Sequence, residues 1–231
     1  MQSLWSRVLK AIWNAVLLLL PSRLKVELLR LRGHDVSRQS HIGMSWLDIG
    51  HISLRDGARI GPFNVFKGMA VLDMAANAEI GRFNQFTANR YYSGIAGAQH
   101  GRVTLAKGAV ITMRHYFDCQ SSVSLGEDSL IAGIGSVFFT HQKGVHSLNE
   151  AAPISIGPRV YLGAACVVLP GAFVRGRAYI SSGSIVSGVL DEQDVLYASP
   201  KASVVKALTP DASYFATDKP TAHFDEAAED D

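Results

Sequence analysis

Aliphatic residues followed by a small or short polar one punctuate this chain at intervals that nearly repeat. They are Ile42-Gly43, Ile60-Gly61, Ile80-Gly81, Ile111-Thr112, Ile131-Ala132, Leu162-Gly163 and Ile180-Ser181, separated by 18, 20, 31, 20, 31 and 18 residues. From Ile156 onward a finer unit is plain, with an aliphatic residue every six positions: Ile156, Leu162, Val168, Val174, Ile180 and Val186. Four residues after each stands a mostly small one, Val160, Cys166, Ala172, Ala178 and Ser184, until Leu190 breaks the rule. A period of six fits neither an amphipathic helix nor a long alternating strand. It predicts a solenoid of short strands, in which each coil buries its apolar column only by stacking on the next.

Three such hexapeptides make 18 residues, the interval found at both ends of the series. Residues one coil apart then share a column at about 4.8 Å spacing. The 20-residue gaps predict a two-residue excess at a corner. The 31-residue gaps, 31 − 20 = 11 residues longer, predict loops over 87–101 and 141–153 thrown out after the same part of the coil. Loops on a rigid scaffold are where function concentrates.

The repeat body spans 41–190, with a helical cap over 1–40 and a tail over 191–231. In the cap, Trp5, Val8, Leu9, Ile12, Trp13 and Val16 fall at helical spacing, Pro21 breaks the first helix, Ser22 caps a second and Gly33 ends it. The apolar run Ala11–Pro21 is shorter than the roughly 20 residues a bilayer span needs. No small-residue cleavage site follows it. Two readings stay open: a helix packed on the solenoid end to cover its open edge, or an interfacial membrane anchor through residues 1–32.

Charge sharpens this picture. The net charge is only +2, which does not suggest nucleic-acid binding. Residues 1–40 carry seven Lys/Arg against two acids, a balance that favours an anionic membrane surface, whereas 191–231 carry ten acids against three Lys. That acidic end reads as a solvated, disordered tail. The two cysteines, Cys119 and Cys166, make no disulfide scaffold, and Cys166 in the small-residue column reads as a core filler.

The segment Ile156-Gly157-Pro158-Arg159-Val160-Tyr161-Leu162-Gly163 through Cys166, Val168, Leu169-Pro170-Gly171 closely resembles hexapeptide-repeat acyltransferases of the left-handed β-helix class. So do Val174, the Ile180–Val186 stretch and the tail around Ser199-Pro200-Lys201, and the repeats cover about 150 of the 231 residues. The opening Leu31-Arg32-Gly33 before Ile42-Gly43 looks like the lead-in of polysaccharide-modifying members. The resemblance implies an all-β solenoid, a left-handed parallel β-helix with an N-terminal helical cap and a short C-terminal tail. It also implies a homotrimer, with acetyl-CoA or another acyl-CoA as co-substrate and an active site between solenoids. The product expected is an O-acylated sugar, nucleotide-sugar or lipid-linked glycan. The location expected is the cytoplasm, with peripheral contact at the inner face of the membrane.

In that family a histidine near the start of a protruding loop is the general base. The match is His141, in Phe138-Phe139-Thr140-His141-Gln142. A hydroxyl must lose its proton as it attacks a thioester, and an imidazole with an ordinary pKa near 6.5 suits that task at neutral pH. The oxyanion then needs donors, expected from backbone N–H groups at a coil corner. His115, four residues after Ile111, falls in the inward column below Gly135 and above Asn84 and Asn64. It either fills the lumen or turns out beside the loop as a second catalytic residue. Asp118 either holds an imidazole in the right tautomer or bonds a corner.

By resemblance Gly163 and Ala164 give backbone contacts to a pantetheine arm, Ser182 holds a comparable place one coil on, and Lys201 pairs with a phosphate. This chain departs from many relatives in having Ser187-Gly188 where they carry Thr-Lys. Arg90, Tyr91 and Tyr92 either line a sugar site or pack their loop onto a neighbouring chain. Two readings compete: a γ-carbonic-anhydrase-like metal enzyme using His115, His141 and His146, and a non-catalytic β-helix scaffold.

Overall fold

A computed structural model describes residues 4–143 and 149–199. Parallel strands curl into a solenoid with faces that repeat once per coil. The first face is an eight-stranded sheet running from His41–Ile42 through Arg59–Ile60, Glu79–Arg82, Val110–Met113, Leu130–Ile131, Val160–Leu162 and Ala178–Ile180 to Val195–Tyr197. Its register pairs Ile42 with Ile60, Ile60 with Ile80, Ile80 with Ile111, and so on through Ile131, Leu162 and Ile180. The aliphatic column read from the sequence is therefore one continuous buried seam.

The other faces belong to a 13-stranded sheet. They are continuous because two long strands, Trp46–Leu54 and Val65–Met74, run round the corner between them. The second face stacks Leu47, Phe66, Phe86, Phe117, Phe138, Val168 and Val186 inward. Its phenylalanines form a ladder with ring centroids 4.6, 4.5 and 4.4 Å apart. That spacing is set by the strands themselves, and each stacked pair adds about 0.5–1.5 kcal/mol beyond area burial.

Parallel pairing reaches past the expected 41–190 body at both ends. Asp35–Val36 pairs with Ser53 and Leu54, and Val195–Tyr197 pairs with Ala178–Ile180. Residues 200–231, with Lys201 and the acidic end, and residues 144–148, with His146, lie outside the described residues.

Helix α1 (Leu4–Leu19) lies along Trp46–Leu54, and α2 (Ser22–Leu31) covers the first coil. An open solenoid end leaves unpaired backbone groups. Here α2 meets them with side chains: Lys25 Nζ donates to Gly43 O at 2.5 Å and Arg30 to Val36 O at 2.7 Å, while Ser22 Oγ accepts the Ile42 N–H at 2.9 Å. Ser22 was expected to cap its own helix. Pro21 holds the N-cap position instead, without a side-chain bond, and the Ser22 hydroxyl serves the sheet.

Helix α1 turns most of its apolar stripe outward. Leu17 is buried and Trp13 half-buried under Arg32, but Trp5, Val8, Leu9, Ile12 and Val16 are exposed, Trp5 by 76%. No helix among the described residues is long and apolar enough to cross a membrane.

Candidate active site

Both long insertions leave the solenoid at the corner between the second face and the third, where Arg102–Leu105, Val123–Leu125 and Ile154–Ile156 stack. The first connects Gln85–Thr87 to Arg102–Leu105, and the second connects Val137–Phe139 to Ile154–Ile156. The coil between them has only the short link Cys119–Ser122 at that corner, so the insertions close over it. Asp118 ends the Tyr116–Asp118 strand there. Alternation points it outward, opposite to the inward Phe117, yet it is only 3% exposed because the loops cover it.

Register brings His141 to it. Asp118 pairs with Phe139 on the next coil, which sets the start of the second loop immediately beside the carboxylate. His141 Nδ1 lies 2.5 Å from Asp118 Oδ2. A carboxylate accepts, so Nδ1 carries the hydrogen and Nε2 presents its lone pair. No partner for Nε2 occurs among the described residues, and the His141 side chain is 32% exposed. The other Asp118 oxygen accepts from Gln120 Nε2 at 2.6 Å, and Oδ2 also receives the Thr140 N–H at 3.3 Å. Thr140 Oγ1 donates to Asp118 O and accepts the Ser121 N–H, so the strand ends are locked together.

The loops add a second layer. Gln120 Oε1 accepts the Asn89 N–H at 2.7 Å, and His100 Nε2 donates to Asn89 O at 2.9 Å. Asn89 in turn caps the short turn Arg90–Tyr92 through its Oδ1. That turn places the Tyr92 ring against His141, with centroids 4.6 Å apart, and Tyr91 stands edge-on to Tyr92. The second loop begins as a hairpin, His141–Lys143 against Asn149–Ala151. Helix α3 (Ser93–Ala96) of the first loop contacts the returning strand.

Of the residues singled out from sequence, His141, Asp118 and Tyr92 thus converge, with Tyr91 and Arg90 on the same turn. His115 does not join them. It is 2% exposed at the opposite end of its strand, where its Nδ1 accepts the Ser136 N–H and its Nε2 bonds Thr112 Oγ1. Burial pushes its pKa down to about 4, so the ring is neutral. Ser136, rather than the expected Gly135, is its neighbour in the column, because the coil after Ile131 takes one more residue to reach the corner. With both nitrogens spent in the wall, His115 has none left for a metal shared with His141. Among the described residues no group of His, Cys, Asp and Glu converges as a metal site.

The C-terminal wall is tightly bonded. The Gly163 N–H donates to Ile180 O and the Ala164 N–H to Ser182 Oγ at 3.1 Å. A Cβ on Gly163 would lie 2.6 Å from Ser182 N, so coil stacking itself demands glycine. The Gly163 and Ala164 N–H groups are therefore used within the wall. Cys166 and Cys119 are buried free thiols with raised pKa values, for Cys119 through burial and then the Asp118 charge.

Gln120, Asn89, Thr140 and His100 were not singled out from sequence for this site. Gln120, two residues after Asp118 and just past the strand's end, carried the available signal, since that spacing continues the strand's alternation. Taken together, fold and site define a parallel β-solenoid bearing a carboxylate-oriented histidine between two loops. No protein-family model matches the chain, and no curated protein matches it.

Proposed function

We propose that this protein is an acyl-CoA-dependent O-acyltransferase of the left-handed β-helix, hexapeptide-repeat class, acting on a sugar or glycan hydroxyl with His141 as general base. The observation that carries the reading is the His141 Nδ1–Asp118 Oδ2 hydrogen bond, which leaves Nε2 basic at the mouth of the loop corner. In the reaction Nε2 takes the acceptor hydroxyl's proton as that oxygen attacks the thioester carbonyl. The tetrahedral intermediate collapses with C–S cleavage, and the imidazolium returns the proton to the departing thiolate of coenzyme A. Asp118, fixed by Gln120 and Thr140, holds the tautomer and stabilises the imidazolium. No change of oxidation state is involved.

The coenzyme runs along the wall of Gly163, Ala164 and Ser182, contacting it through shape and side chain rather than the bonded N–H groups. The working form is a homotrimer. Exposed apolar side chains on the second face, Val65, Phe139 and Ile185, are available to neighbouring chains. The outward stripe of α1 supports peripheral contact with the inner face of a membrane, where lipid-linked glycans would be met. Replacing His141 by Ala should leave the folded trimer's mass in solution unchanged and lower turnover at least ~100-fold, the scale of a lost general base. Turnover within a few-fold of the parent would remove His141 from this role and move it to another group, His115 being the other histidine weighed for it.

A further inference from the structure

Between α1, the first coils and the first loop lies a cavity of about 860 Å³. That is within the range of small-molecule sites, about 300–1,000 Å³. It contains groups that the fold does not use. Asn14, on α1, is 2% exposed and lines the cavity, yet its side-chain amide makes no hydrogen bond among the described residues. The amide therefore lines the cavity with both its donor and its acceptor open to a ligand group. On the solenoid side Gly50 and Gly68 present no side chain, and Gly68, at φ +69°, turns its N–H onto Asp48 Oδ2 at 3.1 Å. Both glycines are set by coil stacking, since a Cβ there would meet Ala70 O at 2.8 Å and Ala88 O at 2.5 Å, and the anchored carboxylate borders the space.

The chemistry of the lining narrows the occupant. Lys10 pairs with Asp48 Oδ1, so these charges cancel, and Arg90 is the remaining cation among the lining residues. A polyphosphate calls for a cluster of cations, which this lining lacks. Half-buried Trp46 adds an aromatic surface beside an amide that both donates and accepts, a carboxylate that accepts, and the Ser93 hydroxyl. A hydroxyl-rich ring with an apolar C–H face matches that mixture.

We propose that this cavity is the acceptor subsite and holds a neutral pyranose, alone or as the end of a short glycan. Its assignment as an acceptor rests on the acyl-transfer reading; its affinity for a sugar does not. The link to the chemistry is the first loop. Arg90 and Ser93, which line the cavity, flank the Tyr91–Tyr92 pair, and Tyr92 packs on His141. In this arrangement α1 sets sugar selectivity as well as covering the coils.

Saturation-transfer NMR on the full chain tests this, with methyl α-glucoside, methyl α-galactoside and N-acetylglucosamine as probes. Asn14→Leu removes the amide at similar volume, and Ala11→Trp fills the cavity from the exposed side of α1. At least one probe should receive saturation from the parent protein. The signal should fall about fivefold or more in both variants, the scale of one lost hydrogen bond, and persist in His141→Ala. No transfer to any probe from the folded parent, or equal transfer in the parent and both variants, would overturn the proposal. Sugar binding in a protein that ignores acetyl-CoA would leave the cavity assigned as a sugar site and refute acyl transfer instead.

Discussion

At His115 the imidazole ties one coil to the next, in the column where Asn64 and Asn84 do the same with their amide oxygens. The difference is that an imidazole titrates. Its pKa falls from 6.5 to about 4 on folding, so between those values the unfolded chain binds a proton that the native wall refuses. The stability that depends on neutral His115 is complete above pH 6.5 and is lost progressively as the pH falls toward 4, by on the order of 3 kcal/mol. His115→Asn keeps an acceptor for the Ser136 N–H and removes this dependence. Urea unfolding at pH 7 and pH 4.5 should show a smaller acid loss in the variant than in the parent, by about 2 kcal/mol. Equal losses would contradict the assignment. The inward place of His115 was legible from its spacing to Ile111. Its neighbour was not, because Gly133 and Gly135, at φ +69° and +78°, build a corner one residue longer than spacing suggests. The same extra residue obscured the Asp118–His141 pair, which joins positions 23 residues apart on successive coils.

Among the elements, α1 shows how an amphipathic pattern can be read correctly as a helix and still leave its facing open. The break at Pro21 and the end at Gly33 were plain from residue type. The stripe that would have covered the solenoid instead faces outward, because α1 uses Leu17, half-buried Trp13 and the Lys10–Asp48 pair for its inner contacts. An exposed row of Trp5, Leu9, Ile12 and Val16 suits the apolar boundary of a bilayer. Leu9→Asp combined with Ile12→Asp should abolish co-sedimentation with vesicles containing phosphatidylglycerol while leaving the thermal melt unchanged, since both positions are exposed. Unchanged co-sedimentation would count against membrane contact by this face. The two loops were legible as excess length in the 31-residue gaps, but their joint closure over Asp118 was not. It depends on Gln120 meeting Asn89, a bond between side chain and loop backbone that no periodicity announces.

For the molecule as a whole, the six-residue period and the seam from Ile42 to Ile180 were enough to foresee stacked parallel coils. The phenylalanine ladder beside that seam follows the same register but was hidden by the unequal gaps, since Phe66, Phe86, Phe117 and Phe138 align only once the loop lengths are subtracted. The coils thus supply a stiff wall, and the chemistry is gathered where that wall is interrupted. Acyl transfer requires the thioester donor whatever the acceptor proves to be, so calorimetric titration of the folded protein with acetyl-CoA tests the central claim most directly. Micromolar binding at about one site per chain is the expected result. No detectable heat at several temperatures, where a vanishing enthalpy at one temperature cannot mask binding, would contradict it.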